Sequence, residues 1–326
     1  MHPAEKYMKR AIHLAEFGYG HVSPNPMVGA VIVAPDGKII GEGWHRQYGF
    51  AHAEVNAINS VQNIHTHLLP ESTIYVTLEP CSHYGKTPPC SKLLIEKRIK
   101  RAVIGCTDPF KEVSGRGIKM MRDAGIEVIV PFMEQECIGI NRKFITAHSL
   151  CRPYIMLKWA QSEDGFIGKQ GERTLISNPL SIIEMHRERA GFDAIIAGTD
   201  TIINDNPSLN NRLWSGNSPR PVVIKSSRIP ADAKILSRNP IILDNGISLE
   251  ENLDILYRNY NITSLLVEGG TKLITSFLSA GLFDEIRVET APFRLFSGII
   301  APTVPTRYKE MKTHITRGNL IINRVY

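Results

Sequence analysis

The sequence has no apolar run close to the roughly 18 residues that a membrane-spanning helix requires, so we predict no helical membrane span. Its opening segment, MHPAEKYMKRAIHLAEFG, is amphipathic and charged and lacks the apolar core of a signal peptide. We therefore expect no export and predict a cytoplasmic protein. The chain also has only five cysteines, which are too few for a disulfide framework and odd in number. In a cytosolic chain, clustered cysteines more often bind metal or act in catalysis.

A concentrated basic segment is also absent. The net charge of +6 is by itself compatible with a nucleic-acid partner. The Lys and Arg residues are scattered, however, and the longest basic stretch is the short one over 97–101. Phosphorylated small molecules also favour a positive balance, so we expect a small-molecule substrate, no nucleic acid and no membrane.

Length and periodicity indicate two α/β domains. With 326 residues, 43% of them hydrophobic and 21% charged, the chain can bury two cores. In the first half we predict helices over 8–17, 53–60, 90–97 and 117–124, and strands over 28–34, 38–44, 72–78, 101–106 and 126–130. In the second half we predict helices over 179–189, 249–260 and 273–280, and strands over 154–160, 194–198, 221–225, 240–243, 264–267 and 285–290. Such alternation is typical of an α/β/α sandwich around a mostly parallel sheet. The pattern weakens over 141–153, so we place the domains at 1–148 and 152–326.

A pattern of zinc ligands begins at the start of the second predicted helix. His52 is followed by Glu54, and Cys81 and Cys90 come later in the chain. A catalytic zinc takes three protein ligands and keeps its fourth position for water, whose pKa it lowers towards about 7. One imidazole and two thiolates fill the three places, and Glu54 can face the open position without ligating. This arrangement is typical of zinc nucleobase deaminases, in which the glutamate transfers protons.

A purely structural zinc is the alternative interpretation of these residues. It requires a fourth protein ligand, and His83 is the candidate. His83 lies in the segment 82–89, which separates the two cysteines by eight residues where the general signature has two. This segment must fold back at the metal, a position that suits contact with a substrate better than a fourth ligand.

Several motifs together resemble one family, the bifunctional deaminase/reductase of riboflavin biosynthesis. They are Asn25-Pro26-Met27-Val28-Gly29, Gly43-Trp44-His45, His52-Ala53-Glu54 and the segment from Glu79 to Cys90. The long cysteine segment is specific, because nucleoside and tRNA deaminases have a shorter one. The resemblance implies a cytidine-deaminase-like fold and hydrolytic loss of an amino group from 2,5-diamino-6-(ribosylamino)pyrimidinone 5′-phosphate. It also implies that Asn25 and His45 read the pyrimidine, and that His83, Lys86 and Thr87 hold the ring and the phosphate.

The resemblance continues through the second half of the chain, over 158–165, 193–201, 204–212 and 267–273. There it implies a dihydrofolate-reductase-like fold that uses NADPH to reduce the ribosyl group to ribityl. The Gly269-Gly270 pair follows a predicted strand and precedes a helix, which leaves backbone N–H groups free to bind a pyrophosphate. The dinucleotide fingerprint G-x-G-x-x-G is absent, so a Rossmann domain is not favoured.

The same resemblance assigns individual residues to NADPH and to the substrate of the reductase. The NADPH contacts are Ala160, Leu175, Thr201, Asp205, Ser226, Gly270, Thr271, Lys272, Leu273, Ile274, Thr275 and Ser276. The substrate contacts are Arg173, Arg189, Leu209, Arg212 and Glu268. Arg189 and Arg212 are also reasonable phosphate ligands on chemical grounds, since guanidinium groups match phosphate oxygens. Three features depart from the family pattern, namely Leu175 in place of an aromatic residue, Glu163 in place of leucine, and the stretch 291–298.

Two other functions are compatible with the sequence. One is a zinc deaminase of another nucleotide or of a tRNA base, with a nucleotide-binding carboxyl-terminal domain, and salt-sensitive RNA binding would distinguish it. The other is a structural zinc module joined to a nucleotide-sensing domain, in which the zinc has no coordinated water. We also expect a homo-oligomer, and we interpret Cys106, Cys137 and Cys151 as ordinary buried thiols.

Overall fold

The computed structural model describes residues 4–83, 88–109, 114–172 and 174–326. The chain divides into an amino-terminal unit, 1–150, and a carboxyl-terminal unit, 151–326. Among the described residues, no helix is both long enough and apolar enough to cross a membrane.

The amino-terminal unit is built on a mixed five-stranded sheet. Its helices are α1 (Glu5–Glu16), α2 (Ala53–Asn59), α3 (Cys90–Glu96), α4 (Arg116–Asp123), α5 (Glu134–Ile140) and α6 (Arg142–Leu150), and its strands are β1 (Gly29–Val33), β2 (Ile39–Trp44), β3 (Thr73–Leu78), β4 (Arg101–Cys106) and β5 (Glu127–Ile129). The strand order is β2-β1-β3-β4-β5. Only β3–β4 and β4–β5 are parallel pairs, because β1 is antiparallel to β2 in the predicted hairpin and is also antiparallel to β3. The expectation of a mostly parallel sheet is therefore wrong for this unit.

The three layers of this unit follow from the alternation of side chains along β1. Ala30 and Ile32 point to one face, where the core includes residues of α2, α3 and α4. Val31 and Val33 point to the other face and pack with α1, including Met8. Both faces of the sheet are covered, as the α/β/α prediction requires. Helix α6 occupies most of the region 141–153, in which the sequence pattern weakens, and α5 lies just before it.

The carboxyl-terminal unit is built on a larger sheet. Its strands are β6 (Tyr154–Ser162), β7 (Phe166–Gly168), β8 (Ala194–Ile196), β9 (Arg220–Ile224), β10 (Ile241–Leu243), β11 (Ser264–Glu268), β12 (Glu285–Ala291), β13 (Ile299–Ile300), β14 (Glu310–Thr316) and β15 (Asn319–Val325), and its helices are α7 (Pro179–Ala190), α8 (Thr199–Asp205), α9 (Leu249–Tyr260) and α10 (Thr271–Ala280). Eight strands form one sheet in the order β10-β9-β8-β11-β6-β12-β15-β14, parallel from β10 to β12 and antiparallel at the β15–β14 end. Strands β13 and β7 form a separate pair.

An apolar core lies on each face of the large sheet, beneath the helices that cover it. Capping residues fix the first residues of two of these helices. The core on one face includes residues of α9 and α10, and the core on the other includes residues of α7 and α8. The Asn178 side chain caps α7, and a reciprocal capping box of Ser248 and Glu251 begins α9 at the predicted residue. The interpretation of Cys151 as a buried thiol is wrong, because it is exposed at the start of this unit, whereas Cys106 and Cys137 are buried.

Candidate metal centre and reductase site

The side chains of His52, Cys81 and Cys90 lie close together because the first residues of two helices pack beside each other. His52 is the residue immediately before α2 and Cys90 is the first residue of α3, while Cys81 follows β3. Helix α2 can lie close to β2 because Gly43 has no side chain. A Cβ at that position would lie 2.3 Å from the amide nitrogen of Ala57, which no packed structure tolerates.

The three side chains converge at distances that fit a zinc ion. His52 Nδ1 lies 3.6 Å from Cys81 Sγ and 3.4 Å from Cys90 Sγ, and all three atoms lie within 4.8 Å of one another. Tetrahedral bonds of about 2.3 Å to sulfur and about 2.0 Å to nitrogen would set nitrogen and sulfur about 3.5 Å apart. The backbone N–H of Cys90 also donates to Cys81 Sγ at 3.3 Å, which stabilises a thiolate there. The donor set and its spacing therefore fit zinc.

The protonation of the two thiols is coupled. A hydrogen bond from Cys90 lowers the pKa of Cys81, against the effect of burial, and a hydrogen bond with His52 contributes to the lowering. The same contact raises the pKa of Cys90, and burial adds to that rise. One proton is thus retained between the two sulfur atoms. A cation placed between them would take both as thiolates.

Glu54 lies in the first turn of α2, two residues after His52, and only 3% of it is exposed. Burial raises the pKa of Glu54 to about 7, and the nearby Cys81 sulfur adds to the rise. A carboxyl group that titrates near neutrality can both accept and donate a proton at the pH of the cell. The side chain is therefore suited to proton transfer beside the three ligand atoms.

The structure brings Asn25 and His45 to the same place. The His45 ring lies edge-on to the His52 ring, with centroids 5.4 Å apart. Its Nδ1 lies 3.1 Å from the Ala51 carbonyl and its Nε2 lies 3.1 Å from Asn25 Nδ2, so His45 donates through Nδ1 and accepts through Nε2. Burial lowers the pKa of His45, which agrees with a neutral ring.

The other predicted contacts of the deaminase site lie on the segment between the cysteines. His83 is exposed. Lys86 and Thr87 lie outside the described residues.

Sequence reasoning gave no role to Glu79, two residues before Cys81. Its carboxylate is buried and accepts backbone N–H bonds from Gly115 at 2.9 Å, Gly117 at 3.0 Å, Asp108 at 3.3 Å and Ile118 at 3.4 Å. Glu79 thereby fixes the start of α4 to the segment that carries Cys81. The Glu-Pro-Cys motif was the only sequence signal for it.

In the carboxyl-terminal unit, the predicted glycine turn lies between β11 and α10. Gly269 has φ +138°, and a Cβ there would lie 3.1 Å from Thr201 Oγ1 and 3.2 Å from the amide nitrogen of Gly198. The Gly270 N–H donates to Thr201 Oγ1 at 3.0 Å, so α8 and the turn are joined. No side chain caps α10, and its first N–H groups fit a pyrophosphate of NADPH.

The remaining predicted NADPH contacts divide by exposure. Leu175 is 67% exposed, Lys272, Thr275, Ser276 and Asp205 are exposed, and Ala160, Ser226 and Thr271 are partly buried. Leu273 and Ile274 instead belong to the apolar core beneath α10, and the Ile274 N–H donates to the carbonyl of Gly270. Their predicted contacts with the cofactor therefore stay predictions of backbone contact, since the helix turns both side chains towards the sheet.

The predicted substrate contacts of the reductase centre on a buried ion pair. Arg189 donates to both oxygens of Glu268, at 2.8 Å and 2.7 Å, and to the Asn210 carbonyl at 2.9 Å. Burial alone would raise the pKa of Glu268, but Arg189 outweighs it and the pKa is lowered. Arg212 is exposed beside Asn210, so it is better placed than Arg189 for a phosphate.

Two further predicted contacts are limited by their surroundings. The Leu209 side chain is buried in the core, which leaves its backbone, at φ +45°, for any contact. Arg173 lies outside the described residues.

Sequence reasoning also missed Lys158, which lies on β6 two residues before Ala160 and therefore on the same face. Only 12% of its side chain is exposed. Burial lowers the pKa of Lys158, although the carboxylates of Glu268 and Glu289 oppose that effect. The signals in the sequence were a cationic residue in an apolar strand and its place in the stretch 158–165, which resembles the family.

Comparisons with known proteins agree with this division of the chain. Residues 1–106 match the family model of the cytidine and deoxycytidylate deaminase zinc-binding region, and residues 153–305 match that of the RibD C-terminal domain. A zinc-binding deaminase unit followed by a reductase unit defines the class: the chain is a bifunctional deaminase and reductase, with zinc and NADPH as cofactors.

Relatives identify the family. The chain is 36% identical to the riboflavin biosynthesis protein RibD of Actinobacillus pleuropneumoniae, over 91% of this chain and 85% of that protein. The solved diaminohydroxyphosphoribosylaminopyrimidine deaminase/5-amino-6-(5-phosphoribosylamino)uracil reductase of Thermotoga maritima is 34% identical, with a TM-score of 0.90 over 100% of this chain and 99% of that one. Acinetobacter baumannii RibD is 32% identical, with a TM-score of 0.89 over 99% and 98% of the two chains. The chain belongs to the RibD family of riboflavin biosynthesis proteins, which confirms the predicted family, fold class and bifunctional activity.

Proposed function

We propose that the amino-terminal unit, assigned to 1–148, deaminates 2,5-diamino-6-(ribosylamino)pyrimidinone 5′-phosphate. The unit assigned to 152–326 then reduces the ribosyl group of the product to ribityl with NADPH. The observation that carries this proposal is the grouping of His52, Cys81 and Cys90 beside a buried Glu54. The name of the Thermotoga maritima relative, which gives a deaminase and a reductase for these two pyrimidine compounds, supports the choice of substrates.

The deamination consumes water and releases ammonia. His52, Cys81 and Cys90 hold the zinc, which when bound supplies a Lewis acid that activates a water molecule. Glu54 accepts one proton from the attacking water and passes it to the ring nitrogen, and then moves the remaining hydroxyl proton to the amino group, which leaves as ammonia. A pKa near 7 suits both directions of transfer.

Recognition of the pyrimidine falls to Asn25 and His45, whose mutual hydrogen bond fixes their orientation beside His52. His45 presents a neutral ring whose two nitrogens are bonded to Ala51 and Asn25, so it acts on the pyrimidine through ring contact and by orienting the Asn25 amide, and not by charge. His83, Lys86 and Thr87 are proposed contacts for the ring and the phosphate, as the family resemblance implies.

The reduction adds a hydride to the anomeric carbon of the sugar, breaks the bond from that carbon to the ring oxygen, and requires a proton on that oxygen. NADPH supplies the hydride. We assign the proton to Lys158, because it shares a sheet face with Ala160 and burial lowers the pKa of its ammonium group. The proposed substrate contacts are Arg212, Arg189, Glu268, Arg173 and the backbone of Leu209. The proposed NADPH contacts are Ala160, Leu175, Thr201, Asp205, Ser226, the turn from Gly270 to Lys272, the backbone of Leu273 and Ile274, and Thr275 and Ser276.

We further propose that the protein acts in the cytoplasm on free nucleotides, without nucleic acid, and as a homo-oligomer. None of the five cysteines, all of which lie within the described residues, forms a disulfide, and two belong to the metal group, which suits a reducing compartment. Strand β14 ends the large sheet and leaves Ile315 71% exposed, which is an edge that a second copy can cover. Light scattering of the purified protein measures the number of chains.

The two half-reactions can be tested separately with one variant for each. Glu54→Gln should reduce ammonia release by about 10²- to 10⁴-fold while zinc stays bound and NADPH oxidation with the deaminated substrate continues. Lys158→Met should show the reverse, with ammonia release intact. Lys312→Met, which is exposed on β14, is the control and should leave both rates unchanged. The proposed function is wrong if Glu54→Gln still releases ammonia at the native rate. It is also wrong if the native protein fails to oxidise NADPH when either substrate is supplied.

A further inference from the structure

Three neighbouring strands bring charged side chains together on one face of the large sheet. Lys158 on β6 is paired in register with Glu268 on β11 and with Arg287 on β12. Two residues further along, Ala160 is paired with Glu289. Residues paired in register point to the same side of a sheet, as do residues two apart on one strand. Glu289 therefore lies on the face that carries Lys158 and the predicted cofactor contact Ala160.

Glu289 is the carboxylate nearest to the Lys158 ammonium. Both oxygens of Glu268 are taken by the guanidinium of Arg189. Glu289 Oε2 lies 4.0 Å from Lys158 Nζ, and the Glu289 side chain is only 3% exposed. Among the described residues, this is the one carboxylate within ion-pair distance of Lys158.

The other partners of Glu289 are neutral and hold it in place. Ser177 Oγ donates to Oε2 at 2.6 Å, and Asn319 Nδ2 donates to Oε1 at 2.6 Å. Neutral donors orient a carboxylate without balancing its charge. Lys158 is thus the cation that balances it. Arg287, the next cation on β12, is engaged by Glu184 at 3.2 Å.

From these contacts we propose that Glu289 is a positioning residue for the reduction, which holds the Lys158 ammonium, charged, beside the reacting sugar. The proposal rests on the proposed role of Lys158 as the proton donor. The physical reason is that burial favours the neutral amine, and an opposite charge about 4 Å away favours the ammonium. Ser177 and Asn319 keep that charge in a fixed place, so the ammonium has one orientation.

The direction of the pH effect follows from all the charges that face Lys158. Glu268 from β11 and Glu289 from β12 raise its pKa, while Arg189 from α7 and Arg287 from β12 lower it. Without the charge of Glu289, one carboxylate and two guanidinium groups remain. The pKa of Lys158 must then fall, and the reduction must lose its proton donor at a lower pH.

The test measures the reductase alone, with 5-amino-6-(5-phosphoribosylamino)uracil and NADPH supplied to the full-length, zinc-loaded protein. We expect Glu289→Gln to lower kcat by about tenfold or more, with little change in the KM for NADPH. The alkaline limb of the kcat profile should also move to lower pH by about one unit or more. Glu289→Asp keeps the charge and should keep the limb near its native position, although kcat falls because the shorter side chain misplaces the ammonium. Asp254→Asn, a change of an exposed carboxylate on α9, is the matched control and should behave as the native protein.

Two results would overturn the proposal. One is a Glu289→Gln protein with the native kcat and the native alkaline limb. If that variant does not fold, Ser177→Ala replaces it, because it removes a donor from Glu289 and leaves the charge. Ser177→Ala should lower kcat several-fold and Ser177→Thr should restore it, and an unchanged kcat in Ser177→Ala is the second overturning result. If the native protein fails to oxidise NADPH, the proposed function itself is refuted. If the native protein is active and Glu289→Gln has the same kcat and the same alkaline limb, only the role of Glu289 is refuted.

Discussion

Replacing Glu79 by Gln should loosen the start of α4 without changing the shape of the side chain. Each carboxylate oxygen accepts two backbone N–H bonds, Oε1 from Gly117 and Ile118 and Oε2 from Gly115 and Asp108. In either orientation, the amide of Gln keeps one oxygen and turns an NH₂ group towards two N–H donors. Two donors then lose their acceptor, either the buried pair or the partly buried pair, at about 1 to 2 kcal/mol each. We expect a local cost of about 3 kcal/mol, which is roughly a hundredfold in an opening equilibrium.

Hydrogen exchange measured by mass spectrometry is the suitable assay, because it reports on each segment and does not require one global unfolding transition. Amides of α4 and of the Glu79–Cys81 segment should exchange roughly a hundredfold faster in the Glu79→Gln protein, and zinc affinity should fall. Glu96→Gln is the control, since Glu96 is 60% exposed and pairs with Lys92 only at 3.9 Å. If α4 exchanges equally slowly in both variants, the four hydrogen bonds do not hold this helix and the reasoning is refuted.

Other perturbations should separate the two units. Removing zinc with a chelator should stop ammonia release but not NADPH oxidation with the deaminated substrate, and loss of both would show that zinc serves more than the amino-terminal unit. Gly269→Ala should raise the KM for NADPH by about tenfold or more, because the added Cβ would press on Thr201 Oγ1 and the backbone φ would be strained. An unchanged KM would mean that this turn does not bind the cofactor. Arg189→Lys should lower the free energy of unfolding of the carboxyl-terminal unit by about 2 to 4 kcal/mol, measured by urea titration. The reason is that a lysine cannot replace the two-bond contact with buried Glu268. An unchanged unfolding midpoint would mean that this pair does not stabilise the unit.

Much of the fold could be predicted because the local signals are strong. Helix α9 begins and ends at the predicted residues, because Ser248 and Glu251 form a capping box at its start and Asn261 is a residue type that commonly ends a helix. The β1–β2 hairpin follows from its Pro-Asp-Gly turn. Helix α8 and the β14–β15 hairpin were not predicted. Most of β14 is exposed, so it carries little of the apolar alternation that marks a buried strand.

Some residues of the candidate sites could also be predicted from the sequence, and others could not. His52, Cys81 and Cys90 form a recognisable pattern because a metal restricts the types of residue that can bind it. Glu79 and Glu289 could not be recognised, because their partners lie about 30 residues away or more in the chain and only the packed sheet brings them together. The burial of Leu273 and Ile274 likewise depends on which side of α10 meets the sheet.

The central claim, that one chain performs both steps in order, is tested most directly by a coupled assay. Purified zinc-loaded protein is given 2,5-diamino-6-(ribosylamino)pyrimidinone 5′-phosphate and either NADPH or NADH, and ammonia and cofactor oxidation are followed together. We expect ammonia to appear first, and NADPH oxidation to follow after a lag and to reach one NADPH for each ammonia. Ammonia release without any oxidation of NADPH, or oxidation that precedes ammonia, would contradict this claim.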